Sequence, residues 1–199
     1  MTATIRLATP HDAPGVQAIY APVVRETAIS FEWEPPTVSD MEKRIGEVVE
    51  RMPWLVCEHR GEVLGYAYAS PHRVRAAYQW SVDVSVYIDA RARRSGVGRG
   101  LYQSLFALLT LQRFYHAYAG ITLPNPASVG LHEALGFAPV GVYRSVGYKL
   151  GAWHDVGWWQ LTLQAPVIPP DPPMDLRTAR ESAAWHTALA TGLPCLRFS

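Results

Sequence analysis

Trp80-Ser-Val-Asp83-Val-Ser-Val-Tyr87-Ile88 runs straight into Asp89-Ala-Arg-Ala-Arg93-Arg94-Ser95-Gly96-Val97-Gly98-Arg99-Gly-Leu101. The first half alternates valines with polar residues and predicts a buried strand. The second half is a basic, glycine-rich turn that reopens as a helix with Leu101, Leu105, Leu108, Leu109 and Gln112 along one side. A helix start leaves backbone N–H groups without partners at the positive end of the dipole. Strand, glycine turn and helix in that order therefore read as a phosphate or pyrophosphate cradle. The plainer alternative is an ordinary strand-to-helix turn with solvated arginines.

The 199 residues, about half of them apolar, suffice to bury the core of one domain. A formal net charge of +1 gives no concentrated basic face, which argues against a nucleic-acid partner. Only Cys57 and Cys195 occur, too sparse for a disulfide scaffold and without metal-ligand spacing, so no metal site is expected. There is no apolar signal core at the start and no run near membrane-span length. A cytoplasmic protein without membrane association is the expectation.

Working outward from the opening stretch, Ile5–Ala8 is β-like, and Asp12 is a candidate N-cap for a helix through Val16, Ile19 and Tyr20. Pro22 predicts a break near Ala21. Residues 28–37 form a loop carrying the exposed aromatics Phe31 and Trp33. A second helix is expected from Ser39, with Ser39 and Glu42 as a capping box. Trp54–His59 and Val63–Ser70 are strands joined by an Arg60-Gly61-Glu62 hairpin. After the central strand and helix come a strand at 117–123, a helix at 125–135 stopped by Gly136, and two late strands near 138–146 and 156–163. The order β-α-α-β-β-β-α-β-α-β-β indicates a layered α/β fold with a mixed sheet. Five prolines fall between Pro166 and Pro173. They predict that the domain spans residues 1–165, followed over 166–199 by a Pro-rich linker and a C-terminal extension with a short helix capped by Thr178 and Glu181.

Arg93-Arg94-Ser95-Gly96-Val97-Gly98 resembles the Arg/Gln-x-x-Gly-x-Gly/Ala turn of the GNAT acyltransferase superfamily. Asn125-Pro-Ala-Ser128-Val-Gly-Leu-His132-Glu-Ala-Leu-Gly136-Phe137 looks like that superfamily's Asn-x-x-Ser/Ala…Tyr-x-x-x-Gly-Phe segment, with His132 where tyrosine is common. A closer resemblance, over residues 4–165, is to phosphinothricin, methionine sulfoximine and methionine sulfone N-acetyltransferases. It rests on Ala77–Tyr87, Leu131–Pro139 and Trp153–Gln160.

The resemblance implies a GNAT-type, mostly antiparallel sheet flanked by helices, acetyl-CoA as co-substrate, and a homodimer. It implies acetylation of the α-amine of a small amino-acid analogue by direct transfer in a ternary complex. Arg93, Arg94, Ser95, Gly96, Val97, Gly98 and Arg99 would hold the pyrophosphate. Val86, Tyr87 and Ile88 would offer strand-edge amides to the pantetheine, joined by Asn125 and Ser128. Asn125 could equally just cap its helix.

Two side chains carry the expected chemistry. Asp83 sits mid-strand opposite Val82, Val84 and Val86, where an unpaired carboxylate costs several kcal/mol. It must meet a partner, a water chain or a substrate ammonium, and it can take a proton from the attacking amine. The resembling enzymes commonly carry Glu here. Asp is shorter by one methylene, about 1.5 Å, which favours a water relay. His132 shares a helix face with Asn125 and Ser128 and can serve at the leaving sulfur or as the base. His72, Arg73, Arg75 and Tyr78 cluster before the strand, and Arg73, Arg75, Tyr78 and Phe31 are the candidate substrate contacts. A polyamine, an antibiotic amine or a protein N-terminus as acceptor, and a weakly catalytic acetyl-CoA sensor, are the competing readings.

Overall fold

The computed structural model describes residues 3–198. Its elements are β1 Thr4–Leu7, α1 Ala13–Glu26, α2 Val38–Val49, β2 Trp54–His59, β3 Glu62–Pro71, β4 Ser81–Ile88, α3 Val97–Leu111, β5 His116–Leu123, α4 Pro126–Glu133, β6 Ala138–Lys149 and β7 Ala152–Thr162. Two short helices follow, α5 Leu176–Arg180 and α6 Trp185–Ala190. The seven strands make a sheet in the order β1-β2-β3-β4-β5-β7-β6. Every neighbouring pair is antiparallel except β4 and β5, which α3 joins as a parallel crossover. The fold is the expected mixed, mostly antiparallel α/β sheet.

Alternation along the strands sorts two cores. Val16, Ile19 and Val24 of α1 and Met41 and Ile45 of α2 pack with Trp54, Val56 and Tyr66 on one face. On the other, Leu101, Leu105, Leu108 and Leu109 of α3 pack with Leu55, Cys57, Ala67, Val82 and Val84. Period 2 in β4 thus sends Val82 and Val84 toward α3 and turns Asp83 the opposite way.

Local details depart from the sequence reading in four places. α1 is continuous through Pro22. The carbonyl that loses its partner belongs to Ala18, which is exposed and so left to water, while Val16, Ile19, Tyr20 and Val24 keep one buried stripe. α2 begins one residue earlier, capped by Thr37: Asp40 N–H donates to Thr37 Oγ1 (3.1 Å), and Thr37 Oγ1 donates to Asp40 Oδ2 (2.7 Å), in place of the Ser39/Glu42 box. The last hairpin is longer than expected, because the turn is Leu150-Gly151, both at positive φ, and Trp153-His154-Asp155 lie inside β7. In the tail, Asp175 rather than Thr178 caps α5 by accepting from Thr178 N–H at 2.7 Å.

Residues beyond 175 pack back on α3. Leu176, Ala179 and Trp185 are buried in the same core as Leu105 and Leu108. Ser104 Oγ donates to Leu189 O (2.7 Å) and accepts from Gly192 N–H (3.1 Å). A helix of five or six residues has no stability of its own, so this apolar contact is what holds α5 and α6. Trp185→Ala is therefore expected to destabilise the protein by roughly 3–5 kcal/mol, the usual cost of removing a large buried aromatic. Urea unfolding monitored by circular dichroism measures it.

Candidate active site

β4 and β5 are paired only at Ser81–His116, Val82–Ala117 and Asp83–Tyr118. Beyond that rung β4 stays on β3 up to Ile88, and β5 stays on β7 up to Leu123. The two strands diverge, and among the described residues the β5-facing edge of Val84–Ile88 has no strand partner. A cleft opens there, lined by Val84, Val86, Ile121, Asn125, Ser128 and His132. Its mouth is at Ile88, its apex at Asp83 and Tyr118. At ~3.3 Å per strand residue the mouth at Ile88 and the apex at Asp83 lie roughly 16 Å apart.

The glycine turn stands at the mouth. Gly96 (φ 84°) is the N-cap of α3, and the first helical bond runs from Gly100 N–H to Gly96 O (2.9 Å). This leaves the N–H groups of Val97, Gly98 and Arg99 at the helix start without intrahelical acceptors. Arg93, Arg94 and Arg99 are exposed around them, and Ser95 Oγ donates back to Ala92 O (2.5 Å). The tail braces this turn from the far side: Arg197 N–H donates to Ser95 O (2.8 Å), and Phe198 stacks on His59. A Cβ at Gly96 would overlap the Cys195 carbonyl oxygen.

The floor of the cleft is α4. Asn125 caps it by accepting from Ser128 N–H at 3.1 Å. His132 is buried, with Nδ1–H donating to Ser128 O (2.8 Å). That fixes Nε2 as an acceptor, and it receives the hydroxyl of Tyr102 at 3.0 Å. Burial pushes the imidazole below its ordinary range, with the Ser128 carbonyl opposing. The ring is therefore neutral and doubly engaged, and Tyr102 stands as the group it supports beside the cleft.

Asp83 faces away from all of this. It lies on the α1/α2 face of the sheet, half-buried, with Oδ1 2.6 Å from His72 Nδ1. Burial pushes its carboxyl above the usual range, while the His72 contact and the charge of Arg73 pull it down. His72 is stacked on Tyr118 (centroids 4.2 Å apart) and meets Tyr78 and Trp158 edge-on. Arg73 lies over the Trp158 ring at 5.7 Å. Tyr78 is half-exposed, and Arg75 is exposed a short way along the same segment. The indole N–H of Trp158 is buried with no partner among the described residues.

An acetyltransferase (GNAT) domain family matches residues 5–158. The chain belongs to the GNAT acetyltransferase family. It is 42% identical over 165 residues to the phosphinothricin N-acetyltransferase of Streptomyces viridochromogenes, covering 83% of this chain and 90% of that protein. To the L-methionine sulfoximine/L-methionine sulfone acetyltransferase of Pseudomonas aeruginosa it is 34% identical over 165 residues, covering 82% and 96%. The crystal structure of a GNAT phosphinothricin acetyltransferase from Sinorhizobium meliloti in complex with acetyl-CoA superposes with a TM-score of 0.80 at 34% identity, covering 89% of this chain and all of that one. The chain is an acetyl-CoA-dependent acyltransferase. The unpaired β4 edge and the open amides of α3 fit that co-substrate.

The segment between α1 and α2 is pinned to the sheet and to α2. Lys149 of β6 is buried and donates to Val24 O and Ser30 O, both at 2.6 Å. Arg44 grips Glu32 with two bonds of 2.7 and 3.0 Å, holding that carboxyl below its usual range. Ile29 thereby reaches the cleft, and Phe31 packs against Gly147, where any Cβ would clash. Of the candidates named from the sequence, Asn125, Ser128 and His132 line the cleft, and Arg73 and Tyr78 lie beside His72, which bonds Asp83. Sequence reasoning missed Tyr102 and Tyr118, which carry no motif and gain meaning only from what they touch, and it gave Trp158 no role of its own.

The turn geometry yields a direct test. Gly96→Ala forces a side chain into positive φ and against Cys195, a strain of roughly 1–3 kcal/mol. Acetyl-CoA binding measured by titration calorimetry is expected to weaken about tenfold or more.

Proposed function

We propose that this enzyme acetylates the α-amine of a small amino-acid analogue of the phosphinothricin or methionine sulfoximine/sulfone kind, by direct transfer in a ternary complex. The observation that carries the reading is the carboxylate of Asp83 at the apex of the β4–β5 cleft, turned to the face opposite α3. An acyl donor laid along the β4 edge brings its reactive end to that rung, and an amine arriving from the α1/α2 face meets it beside Asp83. The names of the two curated relatives support the acceptor class.

Each group has a distinct task. The amides of Val97, Gly98 and Arg99, with Arg93 and Arg94, hold the pyrophosphate. Val86, Tyr87 and Ile88 lend backbone to the pantetheine, and Asn125 and Ser128 bound it from the floor. Arg73, Arg75, Tyr78 and the open Trp158 indole N–H supply donors for the acceptor's acidic groups, with Phe31 over its side chain. Asp83 provides the negative charge that draws in the ammonium and drives its deprotonation. His132, neutral and accepting from Tyr102, lines the sulfur side of the cleft together with that tyrosine.

The second copy in the proposed homodimer docks on β6. This edge strand is exposed from Ala138 to Val146 and again at Tyr148, carrying Val140, Tyr143, Val146 and Tyr148, and Trp153 of β7 is 65% exposed against Tyr148. A long apolar edge of this kind demands cover. Two unpaired cysteines fit a reducing cytoplasm.

Purified protein with acetyl-CoA is expected to release CoA on addition of phosphinothricin, methionine sulfoximine or methionine sulfone, and silence toward all three would sink the acceptor assignment. Asp83→Ala is expected to lower kcat/KM for the amine about 10²–10⁴-fold, the usual worth of acid–base assistance, with acetyl-CoA affinity unchanged. Because the base must be unprotonated, the wild-type kcat/KM rises with pH on its acid side. Light scattering after gel filtration is expected to give twice the chain mass, falling to a single chain for Trp153→Asp combined with Tyr148→Lys.

A further inference from the structure

We propose that the group accepting the amine proton is His72, with Asp83 behind it as the residue that fixes its tautomer. The inference rests on the acetyl-transfer reading above and names the proton acceptor of that same site.

Four observations carry it. The first is contact: His72 Nδ1 and Asp83 Oδ1 are 2.6 Å apart, the distance of a charge-assisted hydrogen bond. With the carboxylate ionised, Nδ1 carries the hydrogen and Nε2 keeps its lone pair. No described protein atom bonds Nε2. The second is rigidity. The ring lies flat on Tyr118 (17° between planes), is edged by Tyr78 and Trp158, and is only 12% exposed. The Asp83 bond and these three aromatics leave it a single orientation. The third is position. His72 follows the last residue of β3, where Ser70 and Pro71 pair with Asp83 and Val82, and its N–H donates to Ser81 O (3.3 Å). Tyr118, under the ring, pairs with Asp83 on the last rung before the strands part. The imidazole therefore sits over the apex of the cleft.

The fourth observation is reach. The near oxygen of Asp83 is already occupied by the imidazole. Adding the ring to the carboxylate carries the accepting lone pair outward by the width of an imidazole. The other histidine near the cleft is unsuited. His132 has both nitrogens engaged, on the opposite face. The charged and titratable groups facing His72 are Asp83 of β4, Tyr118 of β5, and Tyr78 and Arg73 of its own segment. Arg73 is turned outward, donating to the carbonyl of His72 (2.7 Å).

The proton inventory closes. The acceptor arrives as an ammonium, and His72 Nε2 takes one proton, giving an imidazolium stabilised by the Asp83 carboxylate. The neutral nitrogen then bonds to the thioester carbonyl carbon, and the carbon–sulfur bond breaks as the adduct collapses. The second nitrogen proton neutralises the departing thiolate, and the proton on His72 passes to water. One ammonium and one acetyl thioester thus give one amide, one thiol and one solvent proton. No other co-reactant is needed.

Two variants separate the base from its scaffold. His72→Asn keeps a donor for Asp83 and removes Nε2; His72→Phe keeps the stack on Tyr118 and removes both nitrogens. Each is expected to lower kcat/KM for the amine about 100-fold or more and to abolish the acid limb of its pH profile, with the acetyl-CoA dissociation constant within twofold of wild type. Near-wild-type turnover in both, with the acid limb intact, would overturn the proposal in favour of Asp83 acting through water. A second measurement needs no acceptor. In ¹⁵N-labelled full-length protein, neutral His72 is expected as the Nδ1–H tautomer, changed by Asp83→Asn, whereas an Nε2–H tautomer in the wild type overturns the dyad. If the wild type releases no CoA with any of the three amines, the acceptor assignment fails and the tautomer still decides the dyad.

Discussion

The three-rung limit on β4–β5 pairing is the constraint on which the rest of the molecule depends. β1 to β4 form one antiparallel block and β5, β7 and β6 another, and the blocks share only residues 81–83 and 116–118. An unpaired strand edge inside a protein is costly unless something else bonds it. In the proposed function that edge takes the acyl donor. The parallel crossover from β4 to β5 is the helix α3. Its N-terminus falls at the mouth of the opening because β4 ends there. The anion cradle and the strand edge are thus two results of one topological decision.

Strand alternation then divides the chemistry between two faces. Val82 and Val84 lock β4 onto α3, and the same register obliges Asp83 to face α1 and α2. A slip of one residue would exchange them, burying a carboxylate against leucines, so the register is held by the full weight of the α3 core. His132 belongs to the α3 side and Asp83 to the other. In the proposed mechanism the groups assigned to sulfur and to nitrogen therefore approach from opposite sides of the sheet.

What the sequence made legible follows from how local each signal is. The strand–turn–helix stretch is contiguous, so its glycines, arginines and alternating valines announced both the element order and the cofactor class. Asp83 was legible because a carboxylate in a valine strand has few explanations. His72 was visible only as one member of a basic segment, since its bond to Asp83 spans the β3–β4 connection and its stack on Tyr118 joins strands distant in sequence. Tyr102 and Trp158 are the same case: aromatics in a chain rich in them, distinguished only by what folding sets beside them. The Ser39 cap and the break at Pro22 failed for a different reason. Two competing local options existed at each site, and tertiary packing chose the one that kept Val16 to Val24 and Met41 to Ile45 on single buried stripes.

The glycines themselves carry a further lesson. Gly96, Gly98 and Gly100 read as a phosphate signature, yet they face different neighbours. The missing Cβ of Gly98 points to Ile88 and Leu131 on the cleft side. Those of Gly96 and Gly100 point to the backbone of Cys195 and Gly192, which approach so closely that no side chain fits. The tail and the cofactor turn are therefore built against each other, main chain to main chain. Backbone carbonyls packed this near have little freedom, so the tail restrains the ψ angles that aim the helix-start amides outward. A turn that must meet an anion with fixed dipoles gains from such support, because amides already oriented need no reordering when the charge arrives.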